Sequence, residues 1–516
     1  MGPSAVPSPL YNEVPKAMDA DDIERVTEGW ARSAELSREG GFDGVEVHLA
    51  HAYLLHQFLS PLYNHRTDEY GGSLSNRLRF AESVITRVRR RVGEDYSVSV
   101  RISLTDIVDG GMTIDDAVEI TRQLLAAGSV SLITVTAGGC HDGLYNAIAT
   151  SDRDDGWLIE PTARVKQAAG EIPVCVVGGI QNPAQAEQVL AAGNADMTRA
   201  QIADPEWANK VLSGREAELR RCIRSNQGCI SRSFRGFPIG CTVNPAAGRE
   251  ALLGSGTLVP ASPPRRWLVV GGGPAGMKAA EVLARRGHRV SLWERSGQLG
   301  GQVTLLARSP GRARFGYVID DLQRSLQRLG VDVRLGVEAT ADLVVADRPD
   351  AVVVATGAEP DDSGFSSITP LGPRIPRADG ADVLTGWDVL DGTRQPRGRY
   401  VLLLDDLGNR YSAGVAETLL DQGFDVEFVT RLPSLLPALA TTLDLGEMYT
   451  RLATKGMRYQ VNQWPARSTP TPSGSSTSSP SRRAPHSPCL RSSWRPAHGR
   501  TRARTPSCQA RWPQFT

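Results

Sequence analysis

Cysteine and long apolar runs are both scarce in this sequence. Only seven of its 516 residues are cysteine, too few for a scaffold held together by disulfides. No apolar run reaches the length needed to cross a bilayer, and no charged-then-apolar leader opens the sequence. These absences favour a cytoplasmic protein without a membrane partner, and the length suffices for two or three domains.

The formal charge is nearly balanced but unevenly distributed. The whole chain carries +1, while residues 464–516 hold nine arginines and no lysine, aspartate or glutamate. Once these nine positive charges are set aside, the remainder of the chain carries −8. Because a mildly acidic body repels a polyanion, nucleic acid is not an expected partner.

The most informative stretch is residues 41–77, GFDGVEVHLAHAYLLHQFLSPLYNHRTDEYGGSLSNR. The alternating, valine-rich residues 42–47 predict a buried strand, and His48, His51 and Tyr53 follow it. The polar cluster after them has no amphipathic period and predicts an ordered surface loop; it comprises Asn64, Arg66, Thr67, Asp68, Tyr70, Gly71 and Gly72. This stretch closely resembles the Old Yellow Enzyme family of FMN-dependent oxidoreductases.

The resemblance implies a chemical role for each of three side chains. His48 and His51 would hold the oxygen of a carbonyl substrate, Tyr53 would protonate its α-carbon, and flavin would deliver hydride to its β-carbon. Neutral imidazole N–H groups can donate such hydrogen bonds at neutral pH. The alternative is structural: the histidines end a strand and Tyr53 packs under a loop.

Strands and helices alternate through residues 1–215, which predicts a parallel α/β sheet. Beyond the first strand, we predict strands at 96–103, 131–136, 172–179 and 195–197, and helices at 76–92, 114–127 and 183–192. Five strands cannot close a (β/α)8 TIM barrel, which needs eight. The resemblance matches them to strands four to eight of a partial FMN-binding barrel. We therefore expect the first three strands upstream of Met1, either beyond an internal start or supplied by another chain.

Four further residues match FMN contacts of the family. Arg101 ends the second predicted strand and would face the flavin pyrimidine. Gly178 and Gly179 can expose backbone N–H groups to the phosphate, and Arg199 could pair with it. Arg199 follows the last predicted strand after fewer residues than the family places there, so we expect that strand to be short.

Residues 216–262 form a cysteine-containing segment and linker. Cys222, Cys229 and Cys241 match three of the four cysteines that hold a [4Fe–4S] cluster in larger members of the family, the 2,4-dienoyl-CoA reductase and trimethylamine dehydrogenase type. Ser225 stands where the second of the four cysteines is expected, and its hydroxyl is a poor ligand for iron. Three alternatives stay open: a cluster with a weak or solvent ligand, a three-iron cluster, or no cluster.

Residues 263–398 contain a full Rossmann-like pattern of strand, glycine-rich turn, helix and strand. Gly271, Gly273 and Gly276 occupy the G-x-G-x-x-G positions, and Glu294 ends the second strand, where it can accept from ribose hydroxyls. The run that follows resembles FAD-binding domains of the disulfide-reductase type. By that resemblance, FAD is the expected ligand and Gln302 a further cofactor contact; the alternative is a glycine-rich turn without a ligand.

A partial second nucleotide-binding domain is predicted at residues 399–463. Its loop keeps only Gly408 and Gly414 and carries Asp405 and Asp406, whose charges would repel a pyrophosphate. NAD(P)H is the guest expected from the resemblance, although the loop itself does not favour it.

Residues 464–516 are rich in serine, proline and arginine and have no helical or strand period. This composition predicts a disordered basic tail. It arises either from a shifted reading frame, which we expect, or from a tail that binds acidic partners.

Together these features predict an NAD(P)H:flavin oxidoreductase. Electrons would pass between a pyridine nucleotide or electron carrier, FAD, an iron–sulfur cluster and FMN, to reduce an enone or a 2,4-dienoyl thioester as the small-molecule substrate. The alternatives are an amine dehydrogenase or N-demethylase of the same architecture, and an inactive remnant. A homo-oligomer is a further expectation.

Overall fold

The computed structural model describes residues 1–7, 13–128, 130–139, 144–191, 193–365, 374–375 and 378–464. Almost all of the predicted tail, residues 465–516, therefore lies outside the described residues. In the described part of the chain, no helix is both long and apolar enough to cross a membrane.

Helices and strands alternate along the described residues. The helices are α1 (Ala20–Glu39), α2 (Leu54–Leu59), α3 (Leu74–Val92), α4 (Ile114–Ala126), α5 (Ile159–Ala169), α6 (Pro183–Leu190), α7 (Arg199–Ala203), α8 (Trp207–Leu212), α9 (Ile230–Phe234), α10 (Glu250–Leu253), α11 (Pro274–Arg285), α12 (Gln302–Arg308), α13 (Gly316–Arg328), α14 (Ala341–Asp347), α15 (Gly386–Asp391), α16 (Arg410–Asp421) and α17 (Leu445–Thr454). The strands are β1 (Gly44–Leu49), β2 (Ser97–Ser103), β3 (Leu132–Thr136), β4 (Val174–Val177), β5 (Asn194–Asp196), β6 (Arg266–Val270), β7 (Arg289–Glu294), β8 (Asp332–Leu335), β9 (Ala351–Val354), β10 (Tyr400–Asp405), β11 (Asp425–Thr430) and β12 (Arg458–Gln460).

The first five strands form one parallel sheet in the order β1-β2-β3-β4-β5, as expected for part of a (β/α)8 barrel. Four helices of this region begin directly after a polar residue whose side chain caps them. The side chains of Asp19, Ser73, Thr113 and Asn182 accept hydrogen bonds from backbone N–H groups in the first turns of α1, α3, α4 and α6. The predicted fold class is thereby confirmed, and β5 has the short length that the sequence indicated.

The boundary predicted for the first strand is wrong by two residues. The strand spans Gly44–Leu49 rather than 42–47, because Phe42 lies exposed in the turn after α1 and ladder pairing begins at Gly44 with Ser97. His48 is therefore inside β1, paired with Arg101 of β2, and not in the loop that follows.

The faces of this sheet differ in polarity. Val47 and Leu49 of β1 are buried in the core beneath the helices. Glu46 and His48 alternate with them and lie on the opposite face, which corresponds to a barrel interior. The polar face is the one that carries the predicted FMN residue Arg101.

Two smaller parallel sheets follow. The four-stranded sheet has the order β8-β7-β6-β9, with α11 and α13 packed on it around Met277, Leu292 and Leu326. The three-stranded sheet has the order β10-β11-β12 and packs around Phe428 and Leu452. The four-stranded sheet is Rossmann-like, as predicted, with β7 and β9 on opposite sides of β6. The domain boundaries given above stay predictions.

A buried ion cluster links these regions within the unit Met1–Pro470. Glu417 of α16 is 2% exposed and lies 3.2 Å from Arg312, which is also 2% exposed, 3.0 Å from Arg451 and 3.2 Å from Lys455. Arg451 also pairs with Asp152 in the loop after β3. One buried carboxylate thus contacts three cations where the regions meet, and Asp152 and Asp421 add further negative charge beside two of them.

Loss of that carboxylate should destabilise the fold. We expect Glu417→Gln to lower the free energy of unfolding by about 3–5 kcal/mol, because Arg312 would be left buried without its counter-ion. Urea unfolding followed by circular dichroism measures the change. The control is Asp425→Asn, whose partner Arg399 is exposed and whose loss should change little. Equal effects of the two substitutions would contradict this account of the cluster.

Candidate active site and cofactor sites

A left-handed turn follows β1 and presents the predicted catalytic residues. His51 and Ala52 have φ of 59° and 57°, which is costly for residues with a side chain. The His51 N–H donates to Ser103 Oγ (3.3 Å), and the Ala52 N–H donates to Nδ1 of the buried His56 (2.7 Å). The turn is therefore held by side chains at both of its strained residues.

His56 is itself fixed by a buried carboxylate. Its Nε2 lies 3.0 Å from Asp106 Oδ1, and both side chains are fully buried. Ser60 Oγ and the Met112 N–H donate to the other oxygen at 2.6 and 2.7 Å. Burial alone would raise the pKa of Asp106, but the contacts with His56, Ser60 and Met112 outweigh it and lower the pKa to about 2. Sequence reasoning missed this pair, since nothing in the local pattern around His56 indicates a partner fifty residues away.

The three predicted catalytic side chains lie side by side. The ring centroids of His48 and His51 are 5.1 Å apart, and those of His48 and Tyr53 are 5.3 Å apart. Nε2 of His51 lies 2.9 Å from Thr136 Oγ1 on β3. Tyr53 precedes α2 and is 47% exposed. The turn thus gathers two imidazoles and a phenol at the carboxyl end of β1.

Both imidazoles are neutral at pH 7. Burial lowers the pKa of His51 to about 3, with a further contribution from His48. Burial and then the charge of Arg101 also lower the pKa of His48. A neutral imidazole still offers one N–H donor, so the pair can hydrogen-bond a carbonyl oxygen without carrying charge into the site.

A cavity of about 270 Å³ opens beside this turn at the carboxyl ends of the strands. It is lined by the catalytic candidate His51 and by all four predicted FMN residues, Arg101, Gly178, Gly179 and Arg199. His48 and Tyr53 are not among its lining residues; His48 lies beside His51, which does line it, and Tyr53 lies beside His48. Predicted site residues as far apart in the sequence as His51 and Arg199 therefore line the same cavity.

Arg101 is held in this cavity by two carboxylates. Its Nε donates to Glu46 Oε1 (2.7 Å) and its Nη2 to Asp196 Oδ2 (3.2 Å). Thr134 Oγ1 donates to the other oxygen of Glu46 (2.7 Å). Strands β1, β2, β3 and β5 are thus joined across the polar face by one hydrogen-bonded chain.

A third arginine, which the sequence did not single out, also lines the cavity. Arg224 lies in the cysteine segment and is 1% exposed, and its guanidinium touches the turn at Gly179. A Cβ built on Gly179, whose φ is +72°, would lie 2.6 Å from Arg224 Nη1. The sequence signal was available: an arginine directly precedes Ser225, the position where the expected cysteine is missing.

The cysteine segment offers an incomplete set of iron ligands. Burial raises the pKa of both Cys222 and Cys229, so neither thiol is ionised at pH 7 in the absence of a metal. Ser225 is buried, and its Oγ lies 3.3 Å from Thr242 Oγ1, next to Cys241. Within the described ranges, no group of three or more histidine, cysteine, aspartate or glutamate side chains is arranged to hold a metal ion. The described residues of this segment therefore do not complete a four-thiolate cluster site.

The glycine-rich turn after β6 has an open cradle. Gly271 has φ +106°, and a Cβ on it would lie 2.3 Å from the Ala355 carbonyl oxygen, so only glycine fits. A Cβ on Gly276 would lie 1.9 Å from the Gly271 oxygen, so this glycine lets α11 approach the turn. Gly273, at the N-cap of α11, would meet nothing within 4 Å. The space in front of Gly273 suits a pyrophosphate at a helix N-terminus.

The other predicted residues of this site surround the cradle. Glu294 accepts from the Gly272 N–H (2.6 Å) and the Ser296 N–H (2.8 Å). Burial alone would raise the pKa of Glu294, but these hydrogen bonds lower it, so the carboxylate is ionised and can accept from ribose hydroxyls. Gln302 Nε2 donates to the Ala358 carbonyl (2.8 Å) and thereby ties the start of α12 to the loop after β9.

The corresponding loop after β10 is already filled. Asp405 Oδ1 accepts from the N–H groups of Leu407 and Gly408, both at 3.0 Å, and from Ser412 Oγ at 2.5 Å. Asp406 pairs with Arg431. These amides would otherwise face a phosphate, so the buried Asp405 carboxylate occupies the place of the anion.

Comparison with known proteins agrees with this arrangement. Residues 2–218 match the NADH:flavin oxidoreductase / NADH oxidase family, and residues 269–320 match an NAD(P)-binding Rossmann-like domain. The chain is 39% identical to the NADH oxidase of Thermoanaerobacter brockii over 398 residues, which cover 76% of this chain and 59% of the relative. It is 36% identical to the N,N-dimethylglycine/sarcosine dehydrogenase of Chromohalobacter salexigens over 436 residues, which cover 83% and 62%.

A solved structure is similar over most of the chain. The complex of 2-naphthoyl-CoA reductase with 2-naphthoyl-CoA superposes with a TM-score of 0.78 at 30% identity, covering 89% of this chain and 68% of that one. The chain spans about three fifths of the length of the two curated relatives, 59% and 62%. With its parallel barrel strands and these matches, the chain belongs to the NADH:flavin oxidoreductase / NADH oxidase family of FMN-dependent oxidoreductases.

Proposed function

We propose that this chain reduces a carbon–carbon double bond conjugated to a carbonyl, as in an enone or a 2,4-dienoyl thioester, with electrons from NAD(P)H. The observation that carries the proposal is the single cavity that joins His51 to Arg101, Gly178, Gly179 and Arg199. FMN, when bound there, supplies the hydride. Every other role falls to side chains of the protein.

The two histidines would orient the substrate by its oxygen. Because both are neutral, each can donate one N–H to a carbonyl oxygen, and this polarises the conjugated double bond as negative charge develops on that oxygen. Thr136, next to His51 Nε2, fixes the orientation of that ring. Tyr53 would hold the proton that the α-carbon receives, and its contact with His48 keeps it close to the same substrate.

The cradle at Gly273 supports a second cofactor site, for which we propose FAD. Its phosphates would approach the amides at the start of α11, and Glu294 would accept from the ribose hydroxyls. The loop after β10 lacks such a cradle because Asp405 fills it, so we place no nucleotide there. NAD(P)H would then deliver electrons without a glycine-rich site of its own in residues 399–463.

Amine oxidation is the second candidate, favoured by the likeness to the dimethylglycine/sarcosine dehydrogenase. The two neutral imidazoles favour the first, because both can donate to a carbonyl oxygen. An iron–sulfur cluster on Cys222, Cys229 and Cys241 would be incomplete, since Ser225 contributes an alcohol in place of a thiolate.

Substitution of Tyr53 tests the reductase proposal. Tyr53→Phe should leave flavin reduction by NADH unchanged and slow the reoxidation of flavin by 2-cyclohexenone by roughly 10²–10⁴-fold, the usual contribution of a general acid. Stopped-flow absorbance of the flavin measures both half-reactions. Tyr459→Phe, at an exposed tyrosine on β12, is the control and should change neither. An equal loss in both half-reactions would remove Tyr53 from the role of proton donor.

Substitution of Gly273 tests the FAD site. Gly273→Val should abolish FAD retention and spare FMN, because the new side chain meets no protein atom and fills only the space for the pyrophosphate. Chromatography of the released flavins gives the content of each. Gly446→Val, at another glycine with open space around it, is the control. Unchanged FAD content in the Gly273 variant, with the fold intact by circular dichroism, would place FAD elsewhere.

Restoration of a fourth thiol tests the cluster. We expect the purified protein to hold fewer than about four irons per chain, and Ser225→Cys to raise iron and sulfide toward about four each. Elemental analysis and visible absorbance report the change. Ser231→Cys adds a buried thiol to the same segment without the required spacing and should not raise iron. If the two variants take up equal iron, Ser225 does not occupy a ligand position.

A further inference from the structure

Two guanidinium groups contact one carboxylate beside the proposed flavin cavity, and a third guanidinium lies near them. Arg224 Nη2 lies 3.0 Å from Asp155 Oδ1, and Arg314 Nη1 lies 2.6 Å from Asp155 Oδ2. The third, Arg199, donates to the carbonyl of Ala149 (2.7 Å) and to Asn226 Oδ1 (2.8 Å), both neutral groups. We call Arg199, Arg224 and Arg314 with Asp155 the arginine cluster.

The arginine cluster has an excess of positive charge. Its members carry three formal positive charges and one negative charge, and among the described residues Arg199 forms no ion pair. Buried cations in such excess are stabilised by an anion of matching charge.

The side chain of Arg224 lines the cavity and keeps one donor unpaired, although its Nη2 also donates to the Arg153 carbonyl. It is 1% exposed, and its Nη1 donates to the Asp154 carbonyl at 3.3 Å. In the described part of the chain, its buried Nε has no hydrogen-bond partner. The guanidinium lies against the backbone at Gly179, whose N–H groups border the same cavity. A planar fork of donors in that position suits a phosphate.

The rest of the cavity leaves room for such an anchor. Strand β5 has only three residues, and Arg199 begins α7, a helix of five residues whose N-cap Thr198 makes no side-chain bond. Arg199 is also engaged by Ala149 and Asn226. The shortened end of the barrel thus offers an anion fewer unengaged donors than the sequence pattern predicts. The cysteine segment supplies the guanidinium of Arg224 to the same cavity.

We propose that Arg224 is an additional anchor for the phosphomonoester of FMN, contributed by the cysteine segment rather than by the barrel. The inference rests on the proposed flavin cavity. A phosphomonoester dianion would match the two excess positive charges of the arginine cluster. The residue that precedes the missing cysteine then serves flavin binding, while its segment lacks a complete set of cluster ligands.

The test is the preference of the full chain for FMN over riboflavin, which differs from it by the phosphate alone. Flavin is removed from the purified protein, and each flavin is titrated back by fluorescence quenching. Arg224→Gln, similar in length and uncharged, should lower the ratio of FMN to riboflavin affinity by roughly 10- to 100-fold, the usual range for a lost charge-assisted contact. Riboflavin affinity should stay the same, and inorganic phosphate should compete with FMN in the parent more strongly than in the variant.

Matched variants separate this role from a structural one. Arg314→Gln removes another partner of Asp155 that does not line the cavity, so it should lower the ratio less than Arg224→Gln does, through charge alone; an equal or larger loss in Arg314→Gln would contradict a direct contact of Arg224 with the phosphate. Asp155→Asn frees Arg224 from its counter-ion and should raise the ratio. If Arg224→Gln fails to fold, Asp155→Asn decides, and an unchanged or lower ratio there overturns the proposal.

The remaining outcomes distinguish the two levels of inference. A parent protein that binds FMN and riboflavin equally, or an Arg224→Gln variant with the parent's ratio, overturns the role of Arg224 and leaves the flavin cavity standing. A parent that binds neither flavin overturns the cavity and this inference together.

Discussion

The parallel direction of the strands is the constraint on which the site depends. When all strands of a sheet run the same way, the residues that follow each strand arrive at the same edge. His51 after β1, Gly178 and Gly179 after β4, and Arg199 after β5 therefore meet although they are far apart in the sequence. The left-handed turn at His51 adds local strain at this edge, and the buried His56–Asp106 pair holds it in place.

Local patterns in the sequence are sufficient to predict the alternation of strands and helices and the residues that belong to a recognisable motif. The alternation of strands and helices predicted a partial parallel barrel, and the glycine spacing predicted the turn after β6; the structure has both. The start of β1 was misplaced because Phe42 continues the apolar alternation although ladder pairing begins two residues later. Whether each site residue performs its predicted role stays a prediction.

What the sequence could not supply are contacts between distant segments. Arg224 meets Gly179 across 45 positions, and Asp106 meets His56 across 50, so no local period reveals either pair. The same holds for Glu417, which pairs with Arg312 and with Arg451, two arginines that belong to different predicted domains. Such contacts depend on where a buried charge can find a partner, and that is decided only when the chain is packed.

The two nucleotide-type loops differ in how their stability depends on solutes. The cradle before Gly273 is open, so a dinucleotide that binds it adds RT ln(1 + [L]/Kd) to the stability of that region. In the loop after β10, the Asp405 carboxylate already satisfies the amides, so an anion would have to displace a side chain tethered at high effective concentration. A dinucleotide bound at the first turn would therefore link the stability of that region to the concentration of the ligand, whereas the Asp405 loop needs no ligand to satisfy its amides.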